Sequence, residues 1–148
     1  MTNTIRMRTS SAALSQADGI CTAVFHGVIT PSDLHSFLVQ LPERVKTANF
    51  MLTDYRKVVT DFTSADLFDP ANKDYPGSID PTPFMFGAML GRPDQMALLN
   101  SFQGYQANVA GVLRRAFTDQ VECEEWAVKM SRFFDEEEAD SRQERLFI

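Results

Sequence analysis

Asp54, Tyr55 and Arg56 place a carboxylate, a phenol and a guanidinium directly after a short apolar segment. Residues 49–54 predict a buried strand, and open α/β sheets bind ligands at the carboxyl ends of their parallel strands. We therefore expect these three side chains to be able to hold a polar small molecule. The alternative is an ion pair between Asp54 and Arg56, with the Tyr55 ring covering the edge of the core. General acid–base catalysis would need a shifted pKa and a second positioned group, and the sequence indicates neither.

Other residue types capable of chemistry do not occur at useful spacings. His26 and His35 are nine residues apart, with no cysteine or carboxylate at a metal-ligand spacing. The seven glycines are scattered and form no phosphate-binding loop, and no serine stands in a Gly-x-Ser-x-Gly elbow. Cys21 lies in a strand pattern and Cys123 in a helix pattern, which favours buried apolar thiols. We expect no metal, no cofactor and no enzymatic activity.

The methionine and phenylalanine content suggests a second kind of site. Flexible thioethers and aromatic rings can line an adaptable apolar pocket, or they can simply fill a core. Residues 69–83 hold four of the seven prolines, and a loop of this length is typical of a functional or a mobile segment. This loop could close over a pocket whose candidate ligand-binding residues are Phe84, Phe86 and Phe102.

Two hydrophobic periods predict the elements that position these residues. Asp18-Gly19 is a tight-turn pair and predicts an antiparallel hairpin at residues 5–26. Phe84–Leu90 is the most apolar run and predicts a central strand buried on both faces. Residues 112–117 predict an edge strand, because the adjacent Arg114 and Arg115 place one guanidinium on each face.

Helical patterns alternate with these strands. Thr30-Pro31-Ser32-Asp33 predicts a helix start, and Pro42 should kink or divide this helix near Leu41. Residues 63–68 predict a short capped helix, and Gly91-Arg92-Pro93-Asp94 opens the next one. Thr118-Asp119 caps the last helix, whose expected buried stripe is Trp126, Ala127, Met130, Phe133 and Phe134.

This order predicts an α/β fold in a single domain. We expect a mixed, mostly parallel sheet of about five strands, with an N-terminal hairpin and about four helices packed on it. The chain has 148 residues and a net charge of −6, of which −4 lies in residues 135–148. We therefore expect a domain at 1–134 and an acidic tail at 135–148, which ends in the apolar Leu146–Ile148.

The charge distribution bears on possible partners. A nearly balanced body with an acidic tail argues against binding to nucleic acid or to an anionic membrane through bulk charge. No apolar run approaches the roughly 18 residues that a membrane span requires. The N-terminal residues lack the apolar centre of a secretory signal. A cytoplasmic location is the expectation.

Three short motifs carry a family resemblance. They are Gly27–Leu34, a strand-to-helix turn of the type Gly-x-Ile-Thr-x-x-x-Leu; Phe50–Arg56, a strand ending in Asp and a basic residue; and Ala116–Asp119 followed by Glu125-Trp126. With the element order, they resemble the STAS superfamily of anti-sigma-factor antagonists, and within it the SpoIIAA-like branch. The resemblance covers about 110 residues and implies the fold described above.

The resemblance also implies a candidate modification site. Antagonists in this superfamily carry a phosphorylatable serine within an Asp-Ser-Ser-Gly pattern, which falls here on Phe62-Thr63-Ser64-Ala65. The acid and the glycine are replaced, while Thr63 and Ser64 keep their hydroxyls and are the phosphorylation candidates. A phosphate at a helix N-terminus would be favourable, but both residues are explained equally well as helix caps.

Three functional hypotheses follow. The first is a non-enzymatic STAS-like binding or regulatory module that acts through contacts with a protein partner or in a homodimer. The second is a carrier or sensor of a small apolar or amphiphilic ligand bound beneath residues 69–83. The third is an enzyme that uses Asp54, Tyr55 and Arg56.

Overall fold

The structure is a computed structural model, and it describes residues 3–45, 48–60, 62–63, 86–105 and 113–146. These residues form one sheet of seven strands and three α-helices. The strands are β1 (Asn3–Arg6), β2 (Ser10–Ala17), β3 (Ile20–Ile29), β4 (Phe50–Asp54), β5 (Val58–Thr60), β6 (Phe86–Leu90) and β7 (Leu113–Phe117). The α-helices are α1 (Pro31–Arg44), α2 (Met96–Tyr105) and α3 (Gln120–Leu146).

The sheet is mixed and mostly parallel, as the sequence predicts. Its order is β1-β2-β3-β4-β6-β7, with β5 paired to the last residues of β3 beyond the end of β4. The pairs β1/β2 and β2/β3 are antiparallel, and all the other pairs are parallel. The expected count of about five strands is low, because β1 and β5 are only four and three residues long. Strands this short carry little periodicity of their own.

The predicted hairpin is confirmed by the β2–β3 pair. Ala17 pairs with Ile20 across the two-residue turn, where Asp18 and Gly19 have positive φ values of 55° and 79°. Glycine enters this region without cost, and aspartate tolerates it better than most residues. The turn therefore fixes the register of the hairpin.

The predicted positions of the last two strands are also confirmed. Strand β6 lies between β4 and β7, so the described part of Phe84–Leu90 is an interior strand. Among the described strands β7 ends the sheet, with Arg114 buried and Arg115 exposed on the opposite face. Phe84 lies outside the described residues, as does most of the predicted helix at residues 63–68.

The predicted division of α1 at Pro42 is wrong, whereas the alternative, a kink, stays a prediction. The helix begins after Thr30, whose hydroxyl accepts a hydrogen bond from the backbone N–H of Asp33 at 3.1 Å. It then continues through Pro42 to Arg44. Proline removes one helical hydrogen bond, to the carbonyl of Leu38, and in the last turn few bonds beyond it remain to be disturbed.

Two hydrophobic layers enclose the sheet. Helices α1 and α2 cover one face, over a core that includes Phe25, Phe37, Met51 and Met89. Helix α3 covers the other face, over the core residues Phe50, Leu52, Ala88, Leu90, Phe117, Cys123 and Ala127.

Helix α3 extends past the edge of the sheet that it covers. The Ser131 hydroxyl lies 3.5 Å from the carbonyl of Asp18 and 3.2 Å from Asn49 Oδ1, at the amino ends of β3 and β4. At 1.5 Å per residue, the helix backbone continues for about 22 Å beyond this point. The prediction that Phe133 is buried is therefore wrong, since this ring is 48% exposed. None of the described helices is both long and apolar enough to cross a membrane.

Candidate functional site

The first candidate site lies at the carboxyl ends of β4 and β6. The Asp54 carboxylate accepts three hydrogen bonds from Arg56: from the backbone N–H at 3.0 Å, from Nε at 3.0 Å and from Nη2 at 2.9 Å. Asp54 is buried, whereas the Arg56 side chain is 35% exposed. The two residues, two positions apart in the chain, thus form a bidentate ion pair.

The charges of this pair are stabilised by one another. Burial by itself raises the pKa of the Asp54 carboxyl, but the hydrogen bonds and charge of Arg56, assisted by Lys57, outweigh it and hold the pKa below its ordinary value. The hydrogen bond to Asp54 raises the pKa of Arg56. Asp54 is therefore an ionised structural carboxylate at neutral pH.

Tyr55 does not join this pair. Its side chain is buried on the opposite face of the sheet, where the ring stacks on Phe25 with 5.0 Å between centroids and 5° between planes. Burial raises the pKa of the phenol. The geometry matches the alternative set out above, an ion pair with Tyr55 covering the core, and ligand binding by the three residues remains a prediction.

Two side chains at the start of the next helical segment bind this edge of the sheet: Arg92, which the sequence predicts only as part of a helix start, and Gln95, for which the sequence predicts no role. Arg92 Nη1 donates to the carbonyls of Arg56 at 2.7 Å and Val58 at 3.0 Å. Gln95 Nε2 donates to the carbonyl of Tyr55 at 2.9 Å, and Gln95 Oε1 accepts from the backbone N–H of Arg92 at 2.8 Å. The motif Gly91-Arg92-Pro93-Asp94 predicts a helix start, but no local pattern shows that its arginine reaches residues 34 to 36 positions earlier.

Asp33 is a further polar residue with an unpredicted role. It is buried, and its Oδ2 accepts hydrogen bonds from the hydroxyls of Thr9 and Ser10, both at 2.7 Å. The carboxylate thereby ties the first turn of α1 to the start of β2.

The second candidate site was predicted beneath residues 69–83, and that loop lies outside the described residues. A cavity of about 20 Å³, room for about one water molecule, is lined by Ile29, Leu34, Tyr55, Thr60, Phe62, Leu98 and Leu99. Phe84 and the side chains of Phe86 and Phe102 lie outside the described part of the chain. Their binding role therefore remains a prediction.

Only one of the two phosphorylation candidates lies within the described residues. Thr63 is exposed, and Ser64 lies outside the described residues. The phosphorylation of either residue remains a prediction.

The two cysteines are buried, as expected. Burial raises the pKa of the Cys21 thiol to about 11. Burial, followed by the nearby charges of Glu124 and Asp54, raises the pKa of the Cys123 thiol to about 12. Both remain protonated at neutral pH and are therefore weak nucleophiles. The described residues contain no cluster of His, Cys, Asp and Glu that could hold a metal ion.

The outer face of α3 carries an apolar surface that the sequence analysis did not identify. Val121, Val128 and Phe133 are 61%, 37% and 48% exposed. An open surface depression of about 680 Å³ along this helix is lined by Glu124, Glu125, Val128, Lys129, Met130, Arg132 and Phe133. The stripe Val121, Glu125, Val128 and Arg132, spaced at four, three and four residues, is hereafter called the α3 stripe.

Comparison with known proteins identifies the architecture as a SpoIIAA-like fold. The chain is similar to the crystal structure of an uncharacterised protein from the DUF3478 family, with a SpoIIAA-like fold, from Shewanella loihica PV-4. The match has a TM-score of 0.51 and 11% sequence identity, and covers 83% of this chain and 97% of that one. The predicted SpoIIAA-like fold is thereby confirmed. No family model and no curated protein matches the sequence.

Proposed function

We propose that this chain is a non-enzymatic binding module that acts through protein–protein contacts, and that it pairs with a second copy of itself through the α3 stripe. The observation that carries the proposal is the exposure of Val121 and Val128 on a helix that continues beyond the sheet. Apolar side chains grouped on a surface are typical of interaction sites. The SpoIIAA-like fold supports a regulatory role of this kind.

The charges on the α3 stripe favour a second copy as the partner. Glu125 and Arg132 lie on either side of Val128. Two such helices crossing antiparallel at Val128 bring each Glu125 beside the Arg132 of the other copy. A two-fold contact requires such a self-complementary patch.

Light scattering at micromolar concentration tests the dimer. We expect about twice the chain mass of 16.7 kDa for the wild type, and a shift toward 16.7 kDa for Val128→Lys. The matched control is Val39→Lys, since Val39 is 56% exposed on α1, away from the stripe. A monomeric wild type, or an equal loss of mass with both variants, would contradict the proposed contact.

A small apolar or amphiphilic ligand is the second candidate function, favoured by the cavity beside Tyr55 and Phe62. Binding there requires the cavity to expand, because its present volume admits only about one water molecule. Native mass spectrometry of the protein purified from cells would reveal a bound ligand as additional mass. A cytoplasmic location is part of both proposals, and cell fractionation tests it.

A further inference from the structure

Arg114 is the buried charge of the described core that finds no carboxylate among the described residues. It stands on β7 and is 8% exposed, and its Nε–H has no hydrogen-bond partner in the described part of the chain. Arginine remains charged in proteins, and it offers five N–H donors and no acceptor. Burying a cation without a counter-charge costs free energy, so an anion bound to this guanidinium would stabilise the protein.

The neighbouring strand β6 carries a glycine, Gly87, opposite Arg114, which leaves space for the arginine side chain. It pairs in register with Gly87 on β6, and a Cβ atom added to Gly87 would lie 3.7 Å from Arg114 Cγ. The same atom would lie 2.8 Å from the carbonyl oxygen of Met51, which excludes any side chain at this position. The arginine stem therefore passes over bare backbone on the face that α2 covers.

Tyr55 supplies a second polar group on this face. Tyr55 lies close enough to Arg114 for the guanidinium charge to lower the pKa of its phenol, against the larger effect of burial. Burial raises the pKa of the phenol, so that its O–H remains a donor at neutral pH. The Thr53 hydroxyl is buried as well, 3.4 Å from the carbonyl of Ala88.

We propose that Arg114 is the anchor of a binding site for a small carboxylate, which enters between α2 and the edge strand β7. A carboxylate accepts two parallel hydrogen bonds from a guanidinium, one of them from Nε–H. One negative charge balances the one buried positive charge. A phosphate dianion would leave a net charge in an apolar setting that includes Met51 and Met89. Strand β7 ends the sheet among the described residues, and we place the entry of the ligand at this edge.

Thermal unfolding of the full chain with sodium benzoate tests the site, with benzamide as the uncharged analogue and sodium chloride at the same ionic strength. We expect a saturable rise in the melting temperature with benzoate and none with the two controls. Arg114→Met should abolish the rise. Arg115→Gln, which changes the adjacent arginine on the opposite face, should keep it.

Isothermal titration of benzoate into the same three proteins gives an independent readout. Heat of binding by the wild type and Arg115→Gln but not by Arg114→Met supports the site. A wild type without a benzoate-specific response overturns the proposal, as does an Arg114→Met variant that retains the response. If the wild type does not respond to benzoate and Arg114→Met is less stable than the wild type, then Arg114 has a partner within the protein itself. These readouts are independent of the oligomeric mass, so the site and the proposed dimer can fail separately.

Discussion

At the level of single side chains, the three hydrogen bonds between Asp54 and Arg56 give the Asp54 carboxylate, a candidate ligand-binding group, a structural role. The carboxylate is buried and receives all three bonds from a residue two positions later. Removing one partner of a buried charged hydrogen bond leaves the other unsatisfied, and this costs more than the net value of the bond. The pair therefore makes a testable contribution to the stability of the sheet edge.

Asp54→Asn should lower the free energy of unfolding at pH 7 by about 1–3 kcal/mol. Because the pKa of Asp54 is lower in the folded protein than its ordinary value of 3.8, its contribution is fully present above that pH and is lost as the pH falls through the folded value. Urea unfolding at a series of pH values should thus show the difference between the two proteins shrinking below about pH 4. Asp94→Asn is the control, since the exposed Asp94–Arg92 pair should contribute little. A difference that is independent of pH would contradict this role of Asp54.

At the level of elements, local patterns predict where the helices and strands begin better than where they end. Thr30 and Asp119 cap α1 and α3 as their residue types indicate. The predicted division of α1 at Pro42 is wrong, because the Pro42 signal is local whereas the helix is held by its buried face. Leu41 and Val45 on either side of Pro42 are both buried against the sheet.

Pro42→Ala should stabilise the protein by about 1 kcal/mol, because it restores a helical N–H to a position that is already helical, and this gain is partly offset by a more flexible unfolded chain. Pro42 is exposed, so the substitution removes no core contact. Denaturant unfolding measures the change, and Glu43→Ala at the neighbouring exposed position serves as the control. A less stable Pro42→Ala variant would mean that the proline favours the observed helix end.

At the level of the whole molecule, α1 and α2 cover one face of the sheet and α3 covers the other. Among the described residues, no strand lies beneath the end of α3. The Ser131 hydroxyl of α3 lies within hydrogen-bond distance of Asp18 and Asn49 at the edge of the sheet. The predicted boundary between a domain at 1–134 and an acidic tail falls three residues later. The backbone is helical across this boundary, to Leu146.

A chain that ends at residue 134 should fold, with a free energy of unfolding within about 0.5 kcal/mol of the full-length value. The residues removed carry a net charge of −4 and lie past the last contact described between α3 and the sheet. Circular dichroism during thermal unfolding tests this expectation. A chain that ends at Lys129, and so lacks Ser131, is the comparison and should melt at a lower temperature. A large loss of stability in the first truncation would place residues 135–148 within the domain.

The sequence by itself determined the alternation of elements, the Asp18-Gly19 hairpin, the interior β6 strand and the edge strand β7. Each of these depends on hydrophobic periodicity and turn chemistry within about ten residues, which folding does not overrule. Only the tertiary structure decided which polar groups meet. Arg92 reaches carbonyls 34 and 36 residues away, Asp33 binds hydroxyls 23 and 24 residues away, and Arg114 is left buried beside Gly87. Such pairings depend on how distant segments are brought together in space, and no local pattern carries that information.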